Sequence, residues 1–392
     1  MISFRPCPVC QKKEVELLHT ITYPAGENRI LPVEYQIVCC SQCGMVFDTF
    51  EADETVFDNY YSKENKYAID NTAGSGGYSV NEKKRFQRIV NFLKSQRIDK
   101  NADIMDIGSG KGGLLYVLQE NGFNNLCAVE RSDKCVAYMK HNASWSVIHS
   151  GLEELGEKCY SDLIICSQIF EHLFSPRHSL EILWNVLRDE GMLLIEVPDA
   201  SRYCDFFCKP YHYFDAEHIN HFSLESLKML LKSCGFNPLV FGTSEDTLFD
   251  GIIYPNCYVL CKKDSKKVLD FTSDCSILCE INSYLEKSAL VYKTQMRLLE
   301  AIDSEKRCFI WGCGAYGQKL LKQGIFSKLN IAGLIDSDPS KQGFFIQGHK
   351  VYSPEIFRTE KECIVCITSA IYSAEIREQL KNMGFTGEIV TV

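Results

Sequence analysis

The stretch "ADIMDIGSGKGG", residues 102–113, decides the fold of the central part of this chain. Its apolar first half is typical of a buried strand, and alternating glycines then form a turn before the helical pattern "LLYVLQENG". Glycines in such a turn let a ligand approach the backbone at the start of a helix. We therefore predict a ligand-binding strand–turn–helix unit, whose candidate contacts are Asp106, Gly108, Ser109, Gly110 and Gly112.

Strands and helices alternate on the C-terminal side of this turn. Apolar runs such as "LCAVE", "SDLIICS" and "MLLIEVPD" predict strands, and helical patterns begin at Pro176 and Ser223. We expect the helix from Pro176 to continue to Glu190, with Gly191 just past its end, and the stretches 238–242 and 256–262 to close the sheet as a hairpin. Alternation over this length predicts a doubly wound parallel sheet.

An acidic residue marks the end of the strand that follows the turn. Glu130 closes "LCAVE", the position where a carboxylate holds ribose hydroxyls in nucleotide-binding sheets. A glycine turn alone is a weak signal. The turn and the acid together indicate an adenosine-type cofactor, but they do not name it.

The composition limits what else the chain can be. Of its 392 residues 45% are hydrophobic and 24% are charged, which suits a soluble globular protein of two or three domains. A formal charge of -9 with scattered basic residues argues against a nucleic-acid partner. We find no apolar run long enough to span a membrane, and "MISFRPCPVC" lacks the apolar core of a signal peptide, so we expect a cytoplasmic protein.

Two pairs among the twenty cysteines have the spacing of a metal site. "CPVC" supplies Cys7 and Cys10, and "CSQCG" supplies Cys40 and Cys43. Each C-x-x-C turn directs two sulfurs to one centre, and four thiolates in a closed set are typical of structural zinc. A redox dithiol is the alternative. Most of the other cysteines lie singly in strand-like runs, where we interpret them as small buried hydrophobes.

The run "IMDIGSGKGG…AVE…SDLIICSQIFEHLFSP…LRDEGMLLIEVPD" resembles the class I S-adenosylmethionine-dependent methyltransferases. The resemblance implies that the turn glycines line the methionine end of the cofactor. The other residues that it assigns are Glu130 at the ribose, Leu152 at the adenine, Ser167 and Gln168 near the methionine, and the pair Glu171-His172, which fits the family pattern. For Glu171-His172 a structural contact in a helix turn is the favoured alternative.

The loop "FDAEHINHFS", residues 214–223, holds the candidate general base. It follows the strand "MLLIEVPD" and so begins at the carboxyl end of the sheet, where open α/β sheets bind ligands. Glu217 beside His218 can raise the basicity of that imidazole if the two side chains meet. The alternative is a structural loop whose polar groups bond one another.

The whole arrangement resembles the deoxysugar C-methyltransferases, which combine a zinc-binding N-terminal domain, a methyltransferase core and a C-terminal Rossmann-like domain. Their loop carries a Tyr-x-Glu-His pattern with the histidine as base, and Glu217 and His218 match its last two positions. Asp215 stands in the place of the tyrosine, and His221 where a second tyrosine often lies. Similar loops in plain sugar methyltransferases hold structural histidines. The tyrosine that the family has ahead of its core is here Tyr67 or Tyr78.

A second glycine-rich turn lies near the C-terminus. "RCFIWGCGAYGQKLLKQG" is a strand–turn–helix pattern with a complete G-x-G-x-x-G at Gly312, Gly314 and Gly317, and Asp336 ends the next strand. Alone this is a dinucleotide fingerprint. Too little chain follows for a substrate domain, and the segment resembles small nucleotide-sugar-binding units. A domain kept only for packing is a further alternative.

Together these patterns predict an α/β protein with a doubly wound Rossmann-like methyltransferase core, a small zinc-binding N-terminal domain and a second, smaller Rossmann-like C-terminal domain. The predicted segments are 1–60 for zinc, 61–263 for methyl transfer, 264–305 as a helical bridge and 306–392 for the nucleotide sugar.

We expect the protein to transfer a methyl group from S-adenosylmethionine to a carbon atom of a nucleotide-linked sugar through an enolate. A sugar oxygen is the alternative acceptor atom. A nicotinamide-dependent sugar oxidoreductase and a non-catalytic nucleotide-sugar-binding protein are the alternatives from other classes.

Overall fold

The structure is a computed structural model, and it describes residues 5–22, 31–32, 34–61, 80–156, 160–247, 252–264, 266–272, 275–369 and 372–392. The chain divides into two compact units. The first comprises Met1–Ile21, Ile30–Phe207 and Tyr213–Tyr284, and the second Thr22–Arg29, Cys208–His212 and Leu285–Val392. No helix in the described ranges is long and apolar enough to cross a membrane. The four segment boundaries stay a prediction.

The N-terminal elements and the central α/β elements follow one another along the chain. They are β1 (Val15–Thr22), β2 (Glu34–Cys40), β3 (Val46–Thr49), α1 (Glu54–Asn59), α2 (Val80–Ser95), β4 (Asp103–Ile107), α3 (Gly113–Glu120), β5 (Asn125–Glu130), α4 (Asp133–Asn142), β6 (Ser146–His149), β7 (Ser161–Ser167), α5 (Pro176–Val186), β8 (Leu187–Pro198), β9 (Asn220–His221), α6 (Leu224–Ser233), β10 (Phe236–Thr247) and β11 (Ile253–Lys263). A long helix, α7 (Cys275–Glu300), comes next.

A seven-stranded sheet forms the centre of the first unit, in the order β10-β11-β8-β7-β4-β5-β6. The five strands from β6 to β8 in this order are parallel, and β11 is antiparallel to both β8 and β10. The predicted α/β fold and its closing hairpin are therefore confirmed. Helix α2 packs its apolar stripe into the core, as Phe86, Ile89, Val90 and Leu93 are buried.

The helix predicted from Pro176 begins at that residue but ends earlier than expected. Helix α5 stops at Val186, and the chain enters β8 at once, so the expectation that the helix continues to Glu190 is wrong. The extended chain lets Arg188 bind two carboxylates at the amino ends of the neighbouring strands, at 2.6 Å from Asp103 and 2.7 Å from Asp162. These long-range ion pairs are invisible to a local helical pattern.

A second, four-stranded sheet combines the N-terminal segment with the loop 214–223. Its order is β1-β2-β3-β9, and β9 belongs to that loop. Strand β9 pairs antiparallel with β3, with His221 opposite Val46 and Asn220 opposite Phe47. The cysteine-bearing segment therefore fixes one end of the candidate catalytic loop by backbone hydrogen bonds.

The second unit is built on a six-stranded sheet of the order β14-β15-β13-β12-β16-β17. Its elements are β12 (Arg307–Trp311), α8 (Ala315–Lys322), β13 (Asn330–Ile335), β14 (Phe345–Ile346), β15 (His349–Tyr352), β16 (Ile364–Ile367), α9 (Ser373–Asn382) and β17 (Glu388–Thr391). The strands are parallel except for β14, which forms a hairpin with β15. The expected smaller Rossmann-like domain is thus present.

Candidate active site

The glycine turn between β4 and α3 has the geometry that the sequence predicts. Gly108, Gly110 and Gly112 adopt positive φ angles of 68°, 55° and 80°, a region that disfavours side chains. A Cβ atom at Gly108 would lie 2.1 Å from Cδ1 of Ile169. The turn therefore needs glycine both for its backbone conformation and for the space that it leaves at the end of β4.

Glu130 supports this turn from the neighbouring strand. Its Oε2 accepts a hydrogen bond from the backbone N–H of Gly110 at 2.7 Å, and its Oε1 from that of Ser132 at 2.8 Å. Burial raises the pKa of Glu130. The carboxylate lies at the carboxyl end of β5 and braces the turn through these two hydrogen bonds. Its contact with a ribose stays a prediction.

The other residues of the turn are buried around it. The hydroxyl of Ser109 donates to the carbonyl of Asp106 at 2.7 Å. Burial raises the pKa of the Asp106 carboxyl to about 7, and the nearby charge of Arg85 opposes this shift. Leu152, the expected adenine contact, is buried in a short 3₁₀ turn of Leu152–Glu154. The roles of Asp106, Ser109 and Leu152 in binding the cofactor stay predictions.

The carboxyl end of β7 brings in an arginine that the sequence reasoning missed. Arg85 on α2 donates to the hydroxyl of Ser167 at 2.6 Å, and Ser167 in turn donates to Glu196 at 3.0 Å. The Nε of Arg85 is buried and has no hydrogen-bond partner among the described residues. In the sequence, the run "NEKKRFQR" is typical of a solvent-exposed basic helix face, so Arg85 did not stand out. The one local signal for a buried position was that Arg85 precedes Phe86, which lies in the core.

Gln168 belongs to a buried polar network at the same end of the sheet. It adopts a positive φ of 60°, and its amide donates to Asn256 at 3.1 Å. Asn256 donates to Asp246 at 2.8 Å, and Arg88 binds both Asp246 and Glu196 at 2.7 Å. These paired charges hold α2, β8 and the terminal hairpin together beneath the predicted methionine site.

The loop 214–223 docks directly onto the segment that follows β7. The backbone N–H groups of Ile219 and Asn220 both donate to the carbonyl of Glu171, at 2.9 and 3.0 Å. His218 consequently lies against His172, with ring centroids 4.8 Å apart in an edge-on arrangement. The fold therefore joins two histidines that are far apart in the sequence.

Tyrosine hydroxyls surround these two rings. Tyr60 donates to the carboxylate of Glu217 at 2.8 Å, and the hydroxyl of Tyr61 lies 2.9 Å from Nδ1 of His172. The hydroxyl of Tyr254 lies 3.3 Å from Nδ1 of His218. The expected orientation of His218 by Glu217 stays a prediction, because the contact shown for this carboxylate is Tyr60. Tyr67 and Tyr78 lie outside the described residues.

His221 differs from His218 in its surroundings. It is fully buried, and its Nε2 lies 3.1 Å from Oδ1 of Asp48, which is equally buried. Arg5 donates to the backbone carbonyl of Asp48 at 2.8 Å and to the side-chain oxygen of Asn220 at 2.8 Å. These contacts indicate a structural role for His221, at the joint between the N-terminal sheet and the loop.

The four predicted zinc ligands converge in the structure. The sulfurs of Cys7 and Cys43 lie 3.5 Å apart, those of Cys10 and Cys40 lie 3.4 Å apart, and all four fall within 4.8 Å of one another. Zinc–sulfur bonds of about 2.3 Å in a tetrahedron place sulfurs about 3.8 Å apart. The thiol set therefore fits zinc.

In the second unit, the glycine turn follows β12 as predicted. A Cβ atom on Gly317 would lie 2.0 Å from the carbonyl oxygen of Gly312, whereas one on Gly314 would meet nothing within 4 Å. Asp336 accepts from the backbone N–H of Cys313 at 3.0 Å and from Lys341 at 3.1 Å. The four predicted residues are thus brought together, and Lys341 adds a positive charge at the turn.

The central region of the chain, residues 80–240, matches the family described as "Methyltransferase domain". This region is a class I S-adenosylmethionine-dependent methyltransferase domain. Residues 304–390 match a second family, described as "C2185-like, N-terminal". Together with the sheet order, the first match supports S-adenosylmethionine as the ligand of the glycine turn. The zinc and the sugar acceptor are not part of either description.

Individual relatives are distant from this methyltransferase. A segment of 45 residues is 40% identical to "EEF1A lysine methyltransferase 2" of Danio rerio, and it covers 12% of this chain and 19% of that protein. Among solved structures, magnesium protoporphyrin IX methyltransferase from Synechocystis with bound SAH is 14% identical over 54% of this chain and 100% of that chain, with a TM-score of 0.42. A methyltransferase from Clostridium acetobutylicum is 14% identical over 48% of this chain and 94% of that chain, with a TM-score of 0.39.

Proposed function

We propose that this chain transfers the methyl group of S-adenosylmethionine to a nucleotide-linked sugar, with His218 as general base. The observation that carries the proposal is the docking of the loop 214–223 on the carbonyl of Glu171, just after β7. It places the imidazole of His218 at the carboxyl edge of the sheet, the same edge as the glycine turn. A base and a methyl donor held at one sheet edge support methyl transfer to an acceptor that must first lose a proton.

The base is required by the chemistry of the acceptor. When bound, S-adenosylmethionine supplies an electrophilic methyl group on a positively charged sulfur. A sugar carbon beside a ketone attacks that methyl only after its proton has left, and the carbonyl oxygen then carries the negative charge. His218 takes this proton in our proposal, since the pKa of a free imidazole is close to neutral. The hydroxyl of Tyr254 near its Nδ1 helps to hold the ring.

Arg85 is our candidate for the methionine carboxylate of the cofactor. Its guanidinium lies at Ser167, where the family resemblance puts the methionine, and its buried Nε has no hydrogen-bond partner in the described part of the chain. Guanidinium groups bind carboxylates through two parallel hydrogen bonds. The neighbouring acids Glu196 and Asp246, each 3.8 Å from Nε, hold the side chain in place.

A proton-exchange experiment tests the acceptor directly. Incubated in deuterated water with a nucleotide-linked 4-keto sugar and no methyl donor, the protein should exchange the proton beside the ketone. With S-adenosylmethionine added, product fragmentation in a mass spectrometer should place the methyl group on that carbon. A product methylated on oxygen, without exchange, identifies the alternative acceptor atom. If no nucleotide sugar is methylated while the cofactor binds, the proposed substrate class is wrong.

We propose that Cys7, Cys10, Cys40 and Cys43 bind one structural zinc ion. The purified protein should carry about one zinc per chain, and Cys40→Ser should lose the metal and melt at a lower temperature, because structural zinc contributes folding energy. Cys39→Ser is the matched control, since this neighbouring buried thiol lies outside the cluster. Elemental analysis without metal, with the four thiols open to titration in the folded protein, would contradict the proposal.

We propose that the glycine turn of the second unit binds the nucleotide part of the acceptor and not NAD. Gly314→Val should raise the KM for the nucleotide sugar with little change in stability, because its Cβ meets no atom within 4 Å and its φ is −73°. Binding of S-adenosylmethionine should not change. Measurement of the KM and kcat of the variant checks this. Tight NADH binding, seen as fluorescence transfer from Trp311, would instead favour a nicotinamide site.

A further inference from the structure

We propose that Glu171, His172 and His218 bind one divalent transition-metal ion, at a site separate from the four cysteines. One ligand atom from each of the three lies within 4.8 Å of the other two. The fold creates this group by docking the loop 214–223 onto the segment after β7. Two imidazoles and one carboxylate suit ions such as Mn²⁺, Fe²⁺, Co²⁺ and Zn²⁺, whereas Mg²⁺ and Ca²⁺ prefer oxygen ligands.

The carboxylate of Glu171 is the independent observation that points to a cation. The residue is 1% exposed, and neither carboxylate oxygen has a hydrogen-bond partner within the described ranges. An ionised carboxylate without partners is costly to bury. A cation bound to both oxygens would offset the cost of burying the charge.

The imidazole of His172 is oriented in the way that metal-binding histidines usually are. Its Nδ1 lies 2.9 Å from the backbone carbonyl of Glu217, which can only accept a hydrogen bond. A proton on Nδ1 leaves the lone pair on Nε2, and such a bond from the second nitrogen fixes ring orientation in metal sites. Nε2 lies 3.8 Å from Oε1 of Glu171. Two tetrahedral ligands with bonds of about 2.1 Å lie about 3.4 Å apart, so a small movement suffices.

Occupation of the site has a consequence that rests on the proposed function. A histidine nitrogen that ligates a metal cannot accept a proton at the same time. Bound metal should therefore withdraw His218 from proton transfer and inhibit methylation. The metal site itself does not depend on this consequence, because it can be measured without any substrate.

The test is a titration of the zinc-loaded full chain with Mn²⁺. Electron paramagnetic resonance measures the concentration of unbound Mn²⁺ at each step of the titration. Mn²⁺ prefers nitrogen and oxygen ligands, so it leaves the cysteine site to zinc. We expect one Mn²⁺ per chain, and an affinity at least roughly ten-fold lower in Glu171→Gln. The control is His149→Gln, which removes an exposed histidine only 3.2 Å from the carboxylate of Asp133. This variant should bind Mn²⁺ like the parent.

The outcomes separate the site from the function. Absence of stoichiometric Mn²⁺ binding, or equal binding by the parent and Glu171→Gln, overturns the metal site. Should Glu171→Gln fail to fold in a melting experiment, His172→Gln takes its place with the same expectation. Binding with inhibition of methyl transfer over the same Mn²⁺ range supports both proposals. Binding without inhibition supports the site and overturns the assignment of His218 as base.

Discussion

His218→Ala is expected to lower the rate of methyl transfer by roughly 10²–10⁴-fold, the usual loss when a positioned base is removed. The affinity for S-adenosylmethionine should stay unchanged, because the glycine turn follows β4 and Glu130 ends β5, so the predicted cofactor contacts lie on elements other than the loop that carries His218. The same variant should no longer exchange the proton beside the ketone with deuterated water. Single-turnover rates, cofactor titration calorimetry and deuterium incorporation measure the three effects separately.

His221→Ala is the matched control for this loss, since it removes the other histidine of the same loop. Its ring is fully buried against Asp48, so its removal leaves a buried carboxylate without its partner. Breaking a buried pair in this way costs about 3–5 kcal/mol of stability. We expect a lower melting temperature, with a turnover per folded molecule close to that of the parent. If His218→Ala also turns over at nearly the parent rate, the loop is structural and the base lies elsewhere.

Gly110→Val is expected to abolish the binding of S-adenosylmethionine. A β-branched residue is strained at the observed φ of 55°, and its side chain fills the space through which the cofactor approaches the backbone. The parent should gain about 2.7 kcal/mol of stability at a cofactor concentration of 100 times the Kd. The variant should show no such gain. Melting curves with and without cofactor measure the difference.

Gly122→Val separates the loss of the site from backbone strain. Gly122 follows α3 at the end opposite to the turn, and its φ is 86°. A Cβ atom added there would lie closest to the flexible end of the Lys100 side chain. The control should melt at a lower temperature than the parent and still be stabilised by the cofactor. Cofactor stabilisation of Gly110→Val equal to that of the parent would place the cofactor outside this turn.

Local patterns were enough to predict the elements of the site that lie on one strand–turn–helix unit. The glycines at 108, 110 and 112 predicted the turn after β4, and the structure adds that all three have positive φ angles, which few other residues tolerate. Ser223 predicted the start of α6, where its side chain accepts a hydrogen bond from the backbone N–H of Ser226. The predicted end of α5 was wrong, since the chain after Val186 pairs with the distant strand β7, where Leu187 lies opposite Ser161.

The sequence by itself determined the α/β alternation, the two glycine turns, the cysteine pairs and the loop that carries His218. Each of these depends on neighbours a few residues away, so it can be recognised in one short stretch. Only the tertiary structure decided that β9 pairs with β3, that Arg85 reaches Ser167 and that His218 meets His172 beside Glu171. These partners are distant along the chain, and their contacts depend on how the sheets, helices and loops pack together. A single sequence does not record such pairings, because the energy that selects them belongs to the packed core and its buried charges.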